Sequence, residues 1–434
     1  MVDLIPFIVL VLIAVLVVIG ARRVRVPYTV ALLFLGLGLG IFGATTGFSP
    51  FDKSAQSLLT PGLFFDLLLP PIIFEAALHI RFRLLARASG LIFFLAFIGV
   101  LFITLFTGAV VAYLTPLPLV AALLLAAILS PTDPIAIVEL FRHLKVPESL
   151  ATIIESESLL NDAVGVILFV VLLDFIATGT SDPLAAVAQF GFLTVGGVII
   201  GAAVAGSVYL IHRHLHDAAV ETALSLVCAY GSFLLAEAIG ASGIIACAIA
   251  GIAIGTWVAP RAMDADVLQT VHAFWSVVVY VATSVIFLAM GLLFARVHLL
   301  DYLGLVVVVT VVMTLGRVAF VYLHRPLTRE GATRLRTSWY NTIALSGIRG
   351  AIPVVLALSL LASPSGLGSS TLQTIVATVF GVAFVSIVAG NLVASWYVGR
   401  TFRPAVQAWH PVPGVAPAER ALEDDSEIAD GPYG

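Results

Sequence analysis

The chain has 434 residues, of which 61% are hydrophobic and only 11% are charged, and its mean hydropathy is +1.13. A soluble domain is normally about 25% charged, so this composition excludes an ordinary soluble protein and indicates a polytopic membrane protein. The formal net charge of −4 gives no support for binding to nucleic acid.

Apolar stretches long enough to cross a bilayer recur along the chain and are separated by short polar loops. Because a helix needs about 20 apolar residues to span the hydrocarbon core, these stretches predict an all-α fold with about thirteen transmembrane helices. Residues 1–403 form one predicted membrane transporter domain, and the acidic segment 404–434 is predicted to be a short disordered cytoplasmic tail. The predicted spans are 4–20, 29–46, 57–79, 90–114, 118–140, 150–174, 185–211, 221–239, 242–258, 271–294, 302–324, 337–362 and 371–398.

Basic residues predict the orientation, because they concentrate in cytoplasmic loops. Only Lys53 and Arg296 fall in predicted outer loops, whereas Arg317 and Arg349 lie inside predicted helices. All other Lys and Arg residues fall in predicted inner loops or the tail when the N-terminus is outside and the C-terminus is in the cytoplasm. We therefore expect a multi-pass protein of the cell membrane with an N-out, C-in arrangement.

The predicted helix 118–140 contains the segment Ser130-Pro131-Thr132-Asp133-Pro134 near its middle. Two prolines remove backbone donors and disfavour a helix in the residues before them. Asp133 followed by Pro134 is typical of the start of a new half-helix, and the freed carbonyls before it are suited to a cation. The alternative is a proline kink that neighbouring helices repair.

The predicted helix 150–174 carries Glu157, Ser158, Asn161 and Asp162 inside an apolar run. A carboxylate at mid-membrane costs about 2.5–3.5 kcal/mol on insertion scales, so such groups usually bind an ion or a proton. Ser158 and Asp162 share one helix face, and Glu157 and Asn161 share the next. Carboxylate, hydroxyl and carbonyl oxygens suit hard cations such as Na⁺, Li⁺ and K⁺. The alternative is that Asp162 forms a structural ion pair with a buried arginine.

The segment Ser346-Gly347-Ile348-Arg349-Gly350-Ala351-Ile352-Pro353 predicts a second break, in the helix 337–362. Two broken helices in corresponding positions of two halves predict inverted repeats with two unwound, crossing helices and a binding site between them. The buried Arg317 and Arg349 need acidic partners, for which Glu75 and Glu157 are the candidates.

Six motifs, spread in order over most of the chain, together resemble the NhaP-type sodium–proton antiporters, a family of monovalent cation:proton antiporters related to the eukaryotic sodium–proton exchangers. The resemblance implies thirteen helices with six-helix inverted repeats, and usually a homodimer. It also implies a core domain, with its helices around 57–175 and 271–362, that moves against a dimerisation domain. The motifs are LPPIIFEAAL at 69–78, PTDP at 131–134, ESLLNDA at 157–163, AEAIGASG at 236–243, the segment 274–287 and GIRGA at 347–351.

The resemblance further implies a role for each matching residue. Asp162 is expected to alternate between cation and proton. Arg317 is expected to pair with Glu157, and Arg349 with Glu75. The expected Na⁺ ligands are Asp162, Glu157, Ser158 and Thr132, with Asn161, Asp133, Arg317, Arg349 and Glu75 in support.

Two residues depart from the family pattern, namely Ser156, where Gly is usual, and Thr283, where Asn is common. These departures affect the expected ion selectivity more than the expected mechanism.

The expected function is secondary active antiport of Na⁺ or Li⁺ against H⁺, with a role in pH homeostasis. The resemblance implies electroneutral one-for-one exchange, because Asn161 precedes Asp162. The expected partners are these ions, the lipid bilayer and a second copy of the chain, and no cofactor is expected. The alternatives are a K⁺/H⁺ antiporter with the same site and a cation channel. An enzyme is not expected, because the chain lacks a Gly-x-Ser-x-Gly elbow in helical context and a His-Glu-x-x-His motif.

Overall fold

The computed structural model describes residues 8–9, 12–17, 19–20, 27–46, 61–80, 82–133, 141, 146–178, 182–212, 217–295, 297, 299–324, 336–362 and 366–407. These residues form helices and turns and include no strand, so the all-α prediction is confirmed for this part of the chain. Eight of its helices are long and apolar enough to cross a membrane. Within the predicted span 4–20, the structure describes residues 8–9, 12–17 and 19–20, and these are helical. The other residues of this span lie outside the described ranges.

From Tyr28 onward the described helices are numbered here in chain order, and a π-helical turn interrupts α2, α3, α8 and α13. Helix α13 continues to Gln407, into the region predicted to be the tail, and residues 408–434 lie outside the described ranges. The helices are α1 Tyr28–Thr46, α2 61–78, α3 Phe82–Leu114, α4 Leu119–Ile128, α5 Glu148–Thr178, α6 Pro183–His212, α7 Ala218–Ala238, α8 243–262, α9 Ala265–Phe294, α10 Leu303–Leu323, α11 Thr337–Leu345, α12 Ala351–Ala362 and α13 369–407.

The helices pack in two groups, each mainly within itself. Helices α3, α4, α5 and α10 to α13 form the first group, and helices α1, α2 and α6 to α9 form the second. Helices α2 and α9, which belong to the second group, correspond to the predicted spans 57–79 and 271–294. The division into a moving core and a dimerisation domain stays a prediction.

Glycines let α1 and α9 approach closely. A Cβ atom at Gly36 would lie 3.0 Å from the Cα of Gly291, inside normal contact distance, and would also overlap the Leu288 carbonyl oxygen. Small residues at a helix crossing are the usual means of close packing within a membrane. This contact fixes α9 against α1, while another face of α9 forms a wall of a central cavity.

Helix α6 exposes most of its surface. Only 22% of the residues in its most apolar stretch are buried. Its exposed side chains include Leu184, Val187, Phe192 and Ile199. An apolar helix that exposes such side chains is suited to a hydrocarbon environment. The chain is thus an integral membrane protein.

Candidate functional site

Two described segments, 129–133 and 346–350, are not helical and lie where the sequence predicted breaks. Helix α4 ends at Ile128, and residues 129–133 are not helical. Helix α11 ends at Leu345, residues 346–350 are not helical, and α12 begins at Ala351. Residues 134–140 lie outside the described ranges, so the second half of the predicted helix 118–140 stays a prediction.

The two non-helical segments contact each other. The backbone N–H of Asp133 donates a hydrogen bond to the carbonyl oxygen of Ile348, with an N–O distance of 2.7 Å. Gly350 lies directly against the Asp133 side chain, and a Cβ atom at that position would overlap it. Gly347 lies in the same way against the Arg317 side chain. Glycine is therefore required at both positions by the available space.

Helix α5 is tied to the first non-helical segment by side chains one turn apart. The Asn161 amide group donates to Thr132 Oγ1 at 2.7 Å and to Glu157 Oε1 at 2.8 Å. The backbone N–H of Thr132 donates to Asn161 Oδ1 at 3.1 Å. Ser158 Oγ donates to the carbonyl oxygen of Thr132. The structure therefore brings together Thr132, Ser158 and Asn161, as the sequence predicted.

Asp162 faces a cavity of about 520 Å³ that is lined by helices of both groups. Thr132, Asp133 and Ser158 line the cavity beside it. Asp162 Oδ1 is buried and has no hydrogen-bond partner among the described residues. Because a buried carboxylate oxygen is costly when it has no partner, this oxygen is suited to a ligand that enters the cavity.

The predicted partnership of Arg317 with Glu157 is confirmed. Arg317 Nη1 and Nη2 each donate to one carboxylate oxygen of Glu157, both at 3.1 Å. Arg317 Nη2 also donates to the carbonyl oxygen of Ile343 at 3.1 Å. Both side chains are buried, and Glu157 does not line the cavity. Its two oxygens are used by protein donors, so they are poorly available to a cation.

The predicted partnership of Arg349 with Glu75 is wrong. Glu75 lies on α2 and lines the cavity, and its carboxylate is 3.5 Å from the His79 ring on the same helix. The buried Arg349 instead lies in the segment 346–350, where its backbone N–H donates a hydrogen bond to Ser386 Oγ at 2.8 Å. Its Nη1 atom has no hydrogen-bond partner among the described residues. Glu75 is held by His79 at the end of its own helix, and Arg349 lies between α11 and α12 in the other helix group.

The sequence analysis singled out Thr283 and the segment 274–287, but it did not predict that α9 forms a wall of the cavity. Ser276, Tyr280 and Thr283 all line the cavity. Their spacing of four and three residues places them on one face of the helix. A polar stripe with this spacing on an otherwise apolar helix was the signal in the sequence. His79, 30% exposed, lies at a more accessible part of the cavity, with its ring centroid 4.5 Å from that of His272.

Comparison with known proteins gives the same family from sequence and the same fold from structure. The family model described as "Sodium/hydrogen exchanger, transmembrane" matches residues 8–398. The Na⁺/H⁺ antiporter NhaH of Halobacillus aidingensis is 31% identical over 365 residues, which cover 82% of this chain and 88% of NhaH. The Na⁺/H⁺ antiporter ApNhaP of Aphanothece halophytica is 32% identical over 373 residues, which cover 85% of this chain and 68% of ApNhaP.

Among solved structures, the sodium proton antiporter MjNhaP1 of Methanocaldococcus jannaschii has a similar fold, with a TM-score of 0.77. The match covers 92% of this chain and 97% of MjNhaP1 at 23% sequence identity. The predicted resemblance to NhaP-type antiporters is thus confirmed.

Proposed function

We propose, since this chain belongs to the sodium/hydrogen exchanger family, that it is a secondary active antiporter that exchanges Na⁺ or Li⁺ for H⁺ across the cell membrane. The relatives that support this proposal are named Na⁺/H⁺ antiporters. The observation that carries it is that Asp162 lines an internal cavity and has a buried oxygen without a hydrogen-bond partner among the described residues. Such a group binds either a proton or a cation, but not both at once.

The proposed cation site consists of oxygens that meet beside the contact between the two non-helical segments, 129–133 and 346–350. Asp162 supplies the negative charge, and Ser158 and Thr132 supply neutral oxygens. These are the ligand types that hard cations prefer. Asn161 holds the non-helical segment at Thr132 in place. We assign Glu157 to this support and not to the cation shell, because Arg317 and Asn161 already use its oxygens.

The proposed mechanism is competition at one carboxyl group. A cation binds the ionised form of Asp162, and a proton neutralises the same group and displaces the cation. If the two loaded forms cross between the membrane faces and the empty anionic form does not, one cation is exchanged for one proton. This stoichiometry makes the exchange electroneutral.

The proposed architecture is that of thirteen helices in two inverted repeats, with the N-terminus outside and the C-terminus in the cytoplasm. The group formed by α3, α4, α5 and α10 to α13 contains the crossing and moves against the other group. The moving group would expose Asp162 to each side in turn. A homodimer would hold the second group fixed.

Proton movement in proteoliposomes with an imposed pH gradient tests the proposal. Na⁺ or Li⁺ should each drive proton movement that persists when the membrane potential is clamped at zero. The apparent KM for Na⁺ should rise as pH falls, by up to about tenfold per pH unit where Asp162 is mostly protonated, because only the ionised form binds the cation. A response to K⁺ alone would instead support K⁺/H⁺ exchange at the same site, and unitary currents would indicate a channel.

The variant Asp162→Asn should abolish the exchange, because an amide neither titrates nor provides the negative charge. Asp174→Asn is a matched control, because Asp174 is an exposed acid on the same helix that does not line the cavity. Exchange at the wild-type rate in Asp162→Asn would refute the mechanism.

A further inference from the structure

Helix α9 brings a further hydroxyl group to the cavity, from the helix group that does not carry Asp162. Thr283 lines the cavity, is 1% exposed, and its Oγ1 atom has no hydrogen-bond partner among the described residues. Helix α9 packs mainly against α1, α2 and α7, and Asp162 lies on α5. Thr283 and Asp162 thus line the same cavity from different helix groups, and each has a buried oxygen without a hydrogen-bond partner among the described residues.

A buried hydroxyl without a partner costs about 1–3 kcal/mol, and native proteins leave few of them. In a threonine within a helix, the hydroxyl commonly bonds the carbonyl of an earlier turn, and several threonines of this chain do so, among them Thr310 and Thr378. Thr283 does not. Its hydroxyl is therefore free to bind a ligand in the cavity.

The helix spacing explains why Thr283 lines the cavity. Thr283 continues the stripe formed by Ser276 and Tyr280, and all three line the cavity. The next residue, Ser284, is also buried and its Oγ atom also has no hydrogen-bond partner among the described residues, but it does not line the cavity. Both neighbours are buried, but only Thr283 lines the cavity, so Ser284 provides a matched comparison.

We propose that the Thr283 hydroxyl supplies an oxygen to the cation that Asp162 binds, and that it contributes to cation selectivity. This inference rests on the proposed antiport function. Asp162, Ser158 and Thr132 offer oxygens to the cavity, and all three belong to the first helix group. A hard cation in a protein is usually surrounded by about six oxygens, so a hydroxyl on another wall completes the site together with water.

The test is the KM for Na⁺, Li⁺ and K⁺ of Thr283 variants in proteoliposomes. Thr283→Val removes the hydroxyl with little change of shape and should raise the KM for Na⁺ about three- to tenfold, as expected for one lost hydrogen-bonding group. Thr283→Ser keeps the hydroxyl and should stay close to wild type. The KM ratio among the three cations should change in Thr283→Val, whereas a merely structural defect would reduce the amount of active protein equally for all three.

Two controls remove a buried hydroxyl that has no hydrogen-bond partner in the described structure and does not line the cavity. Ser284→Ala does so on the same helix, and Thr107→Val repeats the same chemical change on α3. Both should leave the KM values and their ratios unchanged. A KM in Thr283→Val equal to that of wild type, or a rise shared with the two controls, would overturn the inference. If Thr283→Val does not fold, the pair Thr283→Ala and Thr283→Ser carries the same comparison.

Failure of the proposed function would give a different result. Wild-type protein without cation-driven proton movement, or with unchanged movement in Asp162→Asn, would refute the antiport mechanism itself. Cation binding is then measured separately, as the Na⁺-dependent rise of the Tm in detergent. A smaller rise in Thr283→Val than in Ser284→Ala would support the Thr283 contact even then, and equal rises would contradict it.

Discussion

Glu157 and Arg317 form an ion pair in which both carboxylate oxygens and both terminal guanidinium nitrogens take part. The pair is buried, so its charges have lost their contact with water. Removing one partner of such a pair is strongly destabilising, because the other charge is left buried without compensation. Replacing both partners together is often nearly neutral.

We therefore expect Arg317→Met to lower the free energy of unfolding by about 3–5 kcal/mol. The double variant Glu157→Gln with Arg317→Met should recover most of this loss, because a glutamine oxygen still accepts the hydrogen bond from Asn161. Thermal unfolding in detergent measures both. Arg400→Met, at an exposed position over Trp396, should change the stability by less than about 1 kcal/mol. If Arg317→Met were as stable as wild type, the buried charge of Glu157 would not need Arg317 as its partner.

At the scale of single residues, the structure brings together several of the candidate residues, but the sequence predicted only part of their contacts. Spacing along one helix places Ser158 beside Asp162, and the structure agrees. The partners of buried arginines come from distant parts of the chain, and no local pattern specifies them. For this reason the pairing of Arg317 was predicted only through the family resemblance, and that of Arg349 was wrong.

At the scale of secondary-structure elements, the positions of the two non-helical segments were predictable because proline and glycine occur there. Pro131 removes a backbone donor, and Gly347 and Gly350 leave room for Arg317 and Asp133. The four π-helical turns were not predicted, because a single inserted residue produces no distinct pattern. The hydrogen bond from Asp133 to Ile348 was also beyond the sequence, because it depends on how two segments meet.

A methyl group added at Gly350 tests the packing between the two non-helical segments. Gly350→Ala should displace the Asp133 side chain, lower the stability by about 1–3 kcal/mol through overpacking, and slow the cation-driven proton movement. Gly304→Ala is the matched control, because a Cβ atom there meets nothing within 4 Å. Thermal unfolding and the proteoliposome assay measure the two effects. Equal behaviour of the two alanine variants would show that the crossing tolerates the added group.

At the scale of the whole molecule, hydropathy identified most of the membrane spans, but it did not reveal the two helix groups or the cavity. Helices of both groups are similarly apolar, so composition does not distinguish a helix that carries the crossing from one that packs around it. The cavity is a property of their arrangement. The orientation in the membrane was predicted from loop charges alone, and it is open to a direct test.

The native cysteines, Cys228 and Cys247, are both fully buried. A thiol reagent should therefore label an introduced cysteine with little labelling of the native ones. His79→Cys should react with a membrane-impermeant maleimide added on the cytoplasmic side, because this position lines the accessible part of the cavity. Tyr113→Cys, at the 88% exposed end of α3, should react only from outside. The reverse pattern would invert the proposed orientation, and labelling of His79→Cys only from outside would place the cavity opening on that face.

The bond between the Asp133 amide and the Ile348 carbonyl also has a consequence for how the protein is made. The donor belongs to the first half of the chain and the acceptor to the second, so this bond forms only after the ribosome has completed both halves. Until then the Ile348 carbonyl is not available to the Asp133 amide, and lipid offers no substitute. Nascent first halves should therefore remain beside the insertion machinery, or hold water at that depth, until the second half arrives. Biogenesis would then depend on the same contact that joins the two non-helical segments.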